Sequence, residues 1–432
     1  MNYAESLAYL DALALHGVKA GLHHTRTLAA RLGDPQKAFP CVLVAGTNGK
    51  GSTCAFLAAV LRAAGLRTGF FSSPHLVDVR ERIQVGEDLI GGADFARGMT
   101  EVRGAEERAR AEGLLDGPPT YFEALTLLAF LHFRGQGVDL AVLEVGMGGR
   151  LDCTNVSEPV VSVITNVGLD HQEYLGATLE SIASEKAGIL RPGVPALTAA
   201  TRPAVLEVLE REARRIGAPL LTSSAWAIEA RPGGWSFAWE GGRLELPRPA
   251  LPGEHQVVNA GLAARTALVL KEIGFPVTEA SIAAGIARAR WPGRLERVAS
   301  APATYLDGAH NLDGCEALAR WVGEAPEGRK ALVFASMRDK AVESMGEVLA
   351  PRFEAVWATG LPMPRCASPE EIRDRWGFPD VRCEADPVEA LRRARAWAGP
   401  EGLVVAAGSL YLVGFLKAAL QGGEPASWGT GL

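Results

Sequence analysis

A short apolar run, Cys41-Val42-Leu43-Val44-Ala45, leads directly into Gly46-Thr47-Asn48-Gly49-Lys50-Gly51-Ser52-Thr53, and a helix-like run from Cys54 to Ala64 follows at once. Strand, glycine-rich turn with one lysine, then helix is the arrangement by which α/β proteins hold phosphates. The glycines let backbone N–H groups converge on an anion, and the helix N-terminus adds partial positive charge. Lys50 brings a full charge, and Ser52 or Thr53 a hydroxyl for Mg²⁺ or a phosphate oxygen. The spacing departs from the common Walker loop. Only Thr47 and Asn48 separate the first two glycines, and Gly51 stands between Lys50 and the hydroxyl residues.

The chain of 432 residues exceeds a typical single core, so two or three domains are expected. A net charge of −6 argues against a nucleic-acid partner. The six cysteines show neither a C-x-x-C pair nor metal-ligand spacing, as in a protein of a reducing cytosol. The N-terminus reads as an acidic amphipathic helix rather than a signal peptide. The longest apolar stretch, Phe122 to Phe133, carries Glu123 and His132 and reads as a buried helix, so no membrane partner is expected. A cytoplasmic protein is the resulting expectation, and a monomer, since nothing reads as an obligate interface.

Apolar β-rich runs at Cys41–Ala45, Thr68–Phe71, Leu140–Val145, Val160–Val167 and Pro195–Ala199 alternate with helical patterns such as Gly92–Glu112 and Tyr121–Arg134. Strands apolar on both faces, alternating with helices, mean a parallel sheet covered on both sides. Residues 221–250, with Trp226, Trp235, Trp239 and paired glycines, predict a small β-hairpin insertion. A second βα series is expected after Trp291-Pro292-Gly293-Arg294, with strands at Ala303–Leu306, Ala331–Ala335, Ala355–Thr359 and Leu403–Ala407. The fold class is therefore α/β: a P-loop-type, mostly parallel sheet domain over 1–292, a linker over 293–299, and a smaller Rossmann-like α/β domain over 300–432. The polar tail Gly422–Leu432 is expected to fray.

Open α/β sheets place ligands at the carboxyl ends of their strands, and further polar residues lie there. Ser73 follows the second strand. Glu144 leaves a buried strand into a glycine turn, where a carboxylate is costly unless it meets a cation or donors. Mg²⁺ on a nucleotide phosphate is such a cation. His171 follows Thr165-Asn166-Val167-Gly168-Leu169-Asp170, a third strand end. Lys186, in Ser184-Glu185-Lys186-Ala187-Gly188-Ile189, reads by itself as a surface lysine on a helix. In the second domain Asp307-Gly308-Ala309-His310-Asn311 and Gly408-Ser409-Leu410-Tyr411-Leu412 each pair a glycine turn with polar side chains.

Taken together these strings resemble the folylpolyglutamate synthase/dihydrofolate synthase family, within the Mur-ligase-like ATP-dependent amide ligases. The likeness runs through Gly46–Ser52, Ser73–Leu76, Glu81–Ile83, Thr120–Glu123, Glu144–Asn155, Asp170–His171, Glu185–Ile189, Gly253–Ala260, Trp291–Glu296, Asp307–Asn311 and Gly408–Gly414, in order and spacing. Met147 and Cys153 stand where the family often has Leu and Ala. The resemblance implies that ATP phosphorylates a folate carboxylate and that the amine of L-glutamate attacks the acyl phosphate. It assigns Gly49, Lys50, Gly51, Ser52 and Thr53 to the ATP phosphates, and Ser73, Glu144 and His171 to Mg²⁺ (two sites expected). It makes Lys186 a carbamylated lysine that helps order the metal. Gln256 and Asn259 match the nucleotide-base region, and Arg294, Asp307 and His310 match positions that close over ATP. Arg82, His310 and Ser409 match positions associated with glutamate and the reacting carboxylate, while Thr120, Phe122 and Glu123 fall by the folate cleft. Lys50, Glu144, Lys186, His310 and Ser409 are thus the expected catalytic set. Folate or dihydropteroate, L-glutamate and ATP are the expected small-molecule partners.

Two other readings compete. A ligase acting on a UDP-linked cell-wall precursor would carry an N-terminal UDP-binding domain, for which a phosphate loop beginning at Gly46 leaves no room. A regulatory nucleotide-binding protein without ligase activity would not require the Asp307–Asn311 and Gly408–Leu412 motifs.

Overall fold

The computed structural model describes residues 1–14, 17, 21–326, 328–378 and 380–423; most of the tail expected to fray, from 424 onward, lies outside the described residues. Three sheets organise the chain. The first comprises β1 (Cys41–Ala45), β2 (Thr68–Phe71), β3 (Ile83–Val85), β4 (Asp88–Leu89), β5 (Leu140–Glu144), β6 (Pro159–Ile164), β7 (Ala196–Thr198) and β8 (Leu220–Leu221), in the spatial order β4-β3-β2-β5-β1-β6-β7-β8. From β2 to β8 neighbouring strands run parallel, and β3 and β4 add an antiparallel edge. Alternation along β1 shows why the run is apolar throughout. Cys41, Leu43 and Ala45 enter the core on one face of the sheet, while Val42 and Val44 enter the core on the other.

β1 is flanked by β5 on one side and β6 on the other, and the chain leaves β1 through the helix Lys50–Ala63 to reach β2 beyond β5. This reversal of strand order opens a crevice above the carboxyl ends of β1, β5 and β6.

The 221–250 region is one strand richer than a hairpin. β9 (Trp226–Arg231), β10 (Gly234–Trp239) and β11 (Gly242–Pro247) form an antiparallel sheet in which β10 is central. Trp235, Phe237, Leu244 and Leu246 bury their side chains in the core shared with the helix Glu254–Glu272.

The third sheet has the order β12-β13-β17-β14-β15-β16, from β12 (Glu296–Ser300), β13 (Ala303–Leu306), β14 (Lys330–Phe334), β15 (Ala355–Ala358), β16 (Val381–Cys383) and β17 (Leu403–Ala407). All pairs are parallel except β12 with β13. β12 and β16 were absent from the sequence expectation. Half-exposed and alternately charged (Glu296, Arg297), β12 lacks an apolar run, and most of the stretch expected as linker is in this strand. Among the described residues no helix is long and apolar enough to cross a membrane, and none of the six cysteines is in a disulfide.

Candidate active site

The turn after β1 is built for close approach. Gly46 has φ 153°, and a Cβ there would lie 1.8 Å from the Thr165 hydroxyl oxygen, so no other residue fits between β1 and the end of β6. The turn is anchored to that second strand end. Asn48 N–H donates to Asn166 Oδ1 at 2.8 Å, and the Thr165 hydroxyl donates to the Asn48 carbonyl at 2.6 Å. Gly49, at φ 83°, starts the helix Lys50–Ala63, whose N-terminus no side chain caps. Its first-turn amides and the buried, unpartnered Thr53 hydroxyl are therefore left for an anion or its cation. Gly51 has the Trp291 indole against it, 2.6 Å from where a Cβ would stand. Lys50 Nζ donates to the carbonyls of Gly46 (3.0 Å) and Thr47 (3.1 Å).

Glu144 ends β5 beside this turn. It is buried, and one oxygen accepts the Ser73 N–H at 3.2 Å. Burial raises its carboxyl above the ordinary range, and the charges of Lys50, Arg294 and Arg82 oppose that rise. Lys186, at the end of the helix Leu179–Lys186, is not a surface residue: it is 3% exposed and donates to the Gly46 carbonyl at 2.9 Å. Burial, aided by the charge of Lys50, pushes its ammonium from 10.5 down to about 7. Lys50 thus acts on both Glu144 and Lys186, and on His171 as well. His171 itself adopts φ 52° after Asp170, and its Nε2 stands 3.9 Å from Asp170 Oδ2.

Arg82 is wholly buried. Its Nε donates to His75 Nδ1 at 2.9 Å, its guanidinium lies 5.3 Å from the Tyr121 ring centroid, and neither Nη1 nor Nη2 has a partner. Phe122 packs over the Gly146 backbone and beside Phe71, with ring centroids 5.7 Å apart. Thr120 and Glu123 bracket Phe122 in the chain. They form a reciprocal capping box at the start of the helix Tyr121–Gln136, and Glu123 also accepts the Thr25 hydroxyl, so their polar atoms are committed inside the fold.

Gln256 and Asn259 pair with each other at 3.0 Å, and Asn259 stands over Gly49, 2.5 Å from where a Cβ would lie. Arg294 packs against Gly308. Asp307 accepts the N–H groups of Leu295 (2.8 Å) and Ala309 (2.9 Å), binding the 293–295 stretch to the end of β13. Ser409 accepts the Tyr411 N–H at 3.1 Å and begins the helix Leu410–Leu420. His310 hydrogen-bonds the Gly308 carbonyl through Nδ1 (2.7 Å) and turns Nε2 to within 3.8 Å of Asp170.

The two large sheets meet at Asp170. Lys340 pairs with its Oδ1 at 2.7 Å, Asn311 donates to Oδ2 at 3.3 Å and to Asn48 at 3.0 Å, and nearby Arg202 pairs with Asp313 at 2.9 Å. Burial would raise the Asp170 carboxyl, but His310, His171 and Lys340 together hold it far below the usual range. Asp170, Lys340, His75 and Trp291 were given no role from the sequence. Lys340 lies beyond the carboxyl end of β14, the one signal that could have drawn attention to it.

Among the described residues no three His, Cys, Asp or Glu side chains assemble a complete metal-ligand set. The donors near Glu144 suit Mg²⁺ all the same, since that ion takes one or two protein ligands and completes its shell with phosphate and water.

Residues 44–267 match the Mur ligase middle domain, and 293–410 the Mur ligase glutamate ligase domain. The dihydrofolate synthase/folylpolyglutamate synthase of Bacillus subtilis is 36% identical over 428 residues, 97% of this chain and 99% of that protein. The folylpolyglutamate synthase of Lacticaseibacillus casei is 34% identical, over 98% of this chain and 100% of its own length. Escherichia coli FolC, solved with DHPP and ADP, superposes with a TM-score of 0.89 at 33% identity over 98% of each chain. The bifunctional Yersinia pestis enzyme with AMPPNP and Mn ion gives 0.87 at 32% identity over 98% of each. With both domains matched in order and relatives aligned over almost their full lengths, this chain belongs to the folylpolyglutamate synthase/dihydrofolate synthase family of Mur ligases.

Proposed function

We propose that this protein joins L-glutamate to the carboxylate of dihydropteroate or a folate at the expense of ATP. One observation carries the reading to particular residues. The loop cation Lys50 and the buried guanidinium of Arg82, with Arg294, all act on Glu144. A loop cation suited to phosphates and an arginine with two unpartnered Nη groups therefore act on the same carboxylate, beside which a phosphoryl group would pass from nucleotide to acid.

The loop amides, Lys50 and Thr53 hold the transferring phosphates of ATP, and Gln256 with Asn259 lies towards the base. Arg294 offers a planar fork to the nucleotide from the junction of the two sheets. Ser73, Glu144 and His171 would hold a divalent cation, which when bound offsets the charge of the phosphoryl group in transit. Arg82 steadies the carboxylate whose oxygen attacks the γ-phosphorus. ADP departs and an acyl phosphate remains. The glutamate amine then adds to the acyl carbon, and phosphate and a proton leave as the amide forms. Contacts of Asn311 and Lys340 with Asn48 and Asp170 keep the second sheet over the crevice, which excludes the water that would hydrolyse the acyl phosphate. His310 and Ser409 approach from that side, and Phe122 offers a flat face for the pteridine.

The test is product formation from Mg-ATP, labelled L-glutamate and either dihydropteroate or a tetrahydrofolate. Both acceptors are expected to give a glutamylated product, and failure with both, while ATP still binds, would sink the reading.

Lys186 is read as a carbamate in the working enzyme. Its amine, titrating near 7, is largely free to add to CO₂ with loss of a proton at mildly alkaline pH. With isotope-labelled bicarbonate a carbamate carbonyl resonance is expected, absent from Lys186→Met. The same lysine has a signature in bicarbonate-free buffer. Between pH about 7 and 10.5 the unfolded chain carries a proton there that the folded chain does not, so stability rises with pH across that window. Thermal unfolding at several pH values should show this rise flattened in Lys186→Met; an unchanged slope would contradict it.

A further inference from the structure

The segment between β2 and β3 is closed at several points. Ser72 N–H donates to the Arg82 carbonyl at 3.0 Å. Glu81 turns back and takes the N–H groups of Leu76 (2.7 Å), Val77 (3.0 Å) and Asp78 (3.0 Å). Asp78 in turn caps the short 3₁₀ helix Val79–Arg82. This closure brings His75, 5% exposed, against Arg82, which is fully buried.

A guanidinium can only donate, so the His75 Nδ1 that receives Arg82 Nε at 2.9 Å carries no proton and acts as an acceptor. An arginine in such a place would ordinarily meet a carboxylate, because an unpaired buried charge costs several kcal/mol. Here the nearest acid in sequence, Glu81, has both oxygens occupied by the amides of residues 76–78. The Tyr121 ring covers the guanidinium at 5.3 Å, and Nη1 and Nη2 are left without partners.

We propose that His75 is a positioning residue for the reaction: it fixes the plane of the Arg82 fork through a neutral hydrogen bond and leaves both Nη groups unspent for a substrate carboxylate. An aspartate or glutamate at position 75 would hold the fork equally well but would neutralise it. A neutral acceptor orients without competing, and the two free Nη groups are the pair that grips a carboxylate with two parallel hydrogen bonds. The inference rests on the carboxylate-handling role proposed above for Arg82. That carboxylate belongs either to L-glutamate or to the folate acceptor, and the chemistry is the same for both.

The near-isosteric pair His75→Asn and His75→Asp separates charge from geometry. KM for L-glutamate, for the folate acceptor and for ATP, with kcat, would be measured for each, and thermal unfolding would be followed in parallel. His75→Asp is expected to raise KM for one of the two carboxylate substrates by about tenfold or more, as one charge-assisted pair is weakened. The KM that moves identifies the carboxylate that Arg82 holds. His75→Asn should stay within about threefold of the unsubstituted enzyme, and KM for ATP should stay constant in both. Equal losses in the two variants, or a parallel rise for ATP, would reduce His75 to a structural residue and overturn the inference. Turnover from neither acceptor in the unsubstituted protein would instead overturn the proposed function, and this inference with it.

Discussion

Glu144→Gln is expected to lower kcat by about 10²–10³-fold, in the range seen when one preorganised electrostatic group is removed from a catalytic site. The substitution keeps the side-chain volume and an oxygen for the Ser73 N–H, so packing at the end of β5 is preserved. What disappears is the negative charge on which Lys50, Arg294 and Arg82 act. A cation at this strand end loses its carboxylate, and three neighbouring positive charges lose the group that balances them. Steady-state kinetics over a Mg²⁺ titration would read the effect, with thermal unfolding as the control for the fold. Full turnover in Glu144→Gln would remove this residue from the proposed metal site.

Lys50→Met should depress kcat/KM for ATP by a comparable factor of about 10²–10³, through a different route. Glu144 belongs to the cation, whereas Lys50 is the only full charge within the glycine turn. Its ammonium is held by the carbonyls of Gly46 and Thr47; a phosphate oxygen offers it a charged partner instead. Lys50→Arg is expected to restore little. The space at the turn is closed by Trp291 over Gly51 and Asn259 over Gly49, and a planar fork cannot replace a compact ammonium there. Rates at saturating and limiting ATP would distinguish the two substitutions from Glu144→Gln, whose defect should respond to Mg²⁺. Near-normal kcat/KM in Lys50→Arg would mean that charge alone, without shape, suffices at this position.

Much of the fold is legible in the sequence because its determinants are local. Five residues apolar on both faces, as in β1, identify a covered parallel strand, and the β1-to-helix turn announces itself in eight consecutive residues. The strands with little signal in the sequence are those whose chemistry is ordinary. β12 is half-exposed with charged side chains, and β16 spans only Val381–Cys383. The three-stranded insertion looks like a hairpin in the sequence because its first strand, Trp226–Arg231, is mostly exposed and carries little apolar signal. Thr120 and Glu123 carry two signals at once. They lie in a string shared with the ligase family, yet their spacing is also that of a capping box, and the geometry commits them to the helix terminus.

Lys186 marks the division between the two kinds of information. Taken alone, a lysine in the last turn of a short helix belongs on the surface, and only the family resemblance overrode that reading. The fold buries it by bringing it across 140 residues to the Gly46 carbonyl, and burial is what moves its titration towards neutrality. Asn48 and Asn311, 263 residues apart, meet in the same way, as do Lys340 and Asp170. The sequence by itself determined the phosphate turn, the parallel sheets covered on both faces and the residue types fit for ATP and a divalent cation, since these depend on neighbours along the chain. Only the tertiary structure decided which charges lie buried, that Arg82 keeps an unpartnered fork on a neutral histidine, and that three cations act on Glu144. Electrostatic environment is a property of what surrounds a group in space, and local spacing carries no record of it.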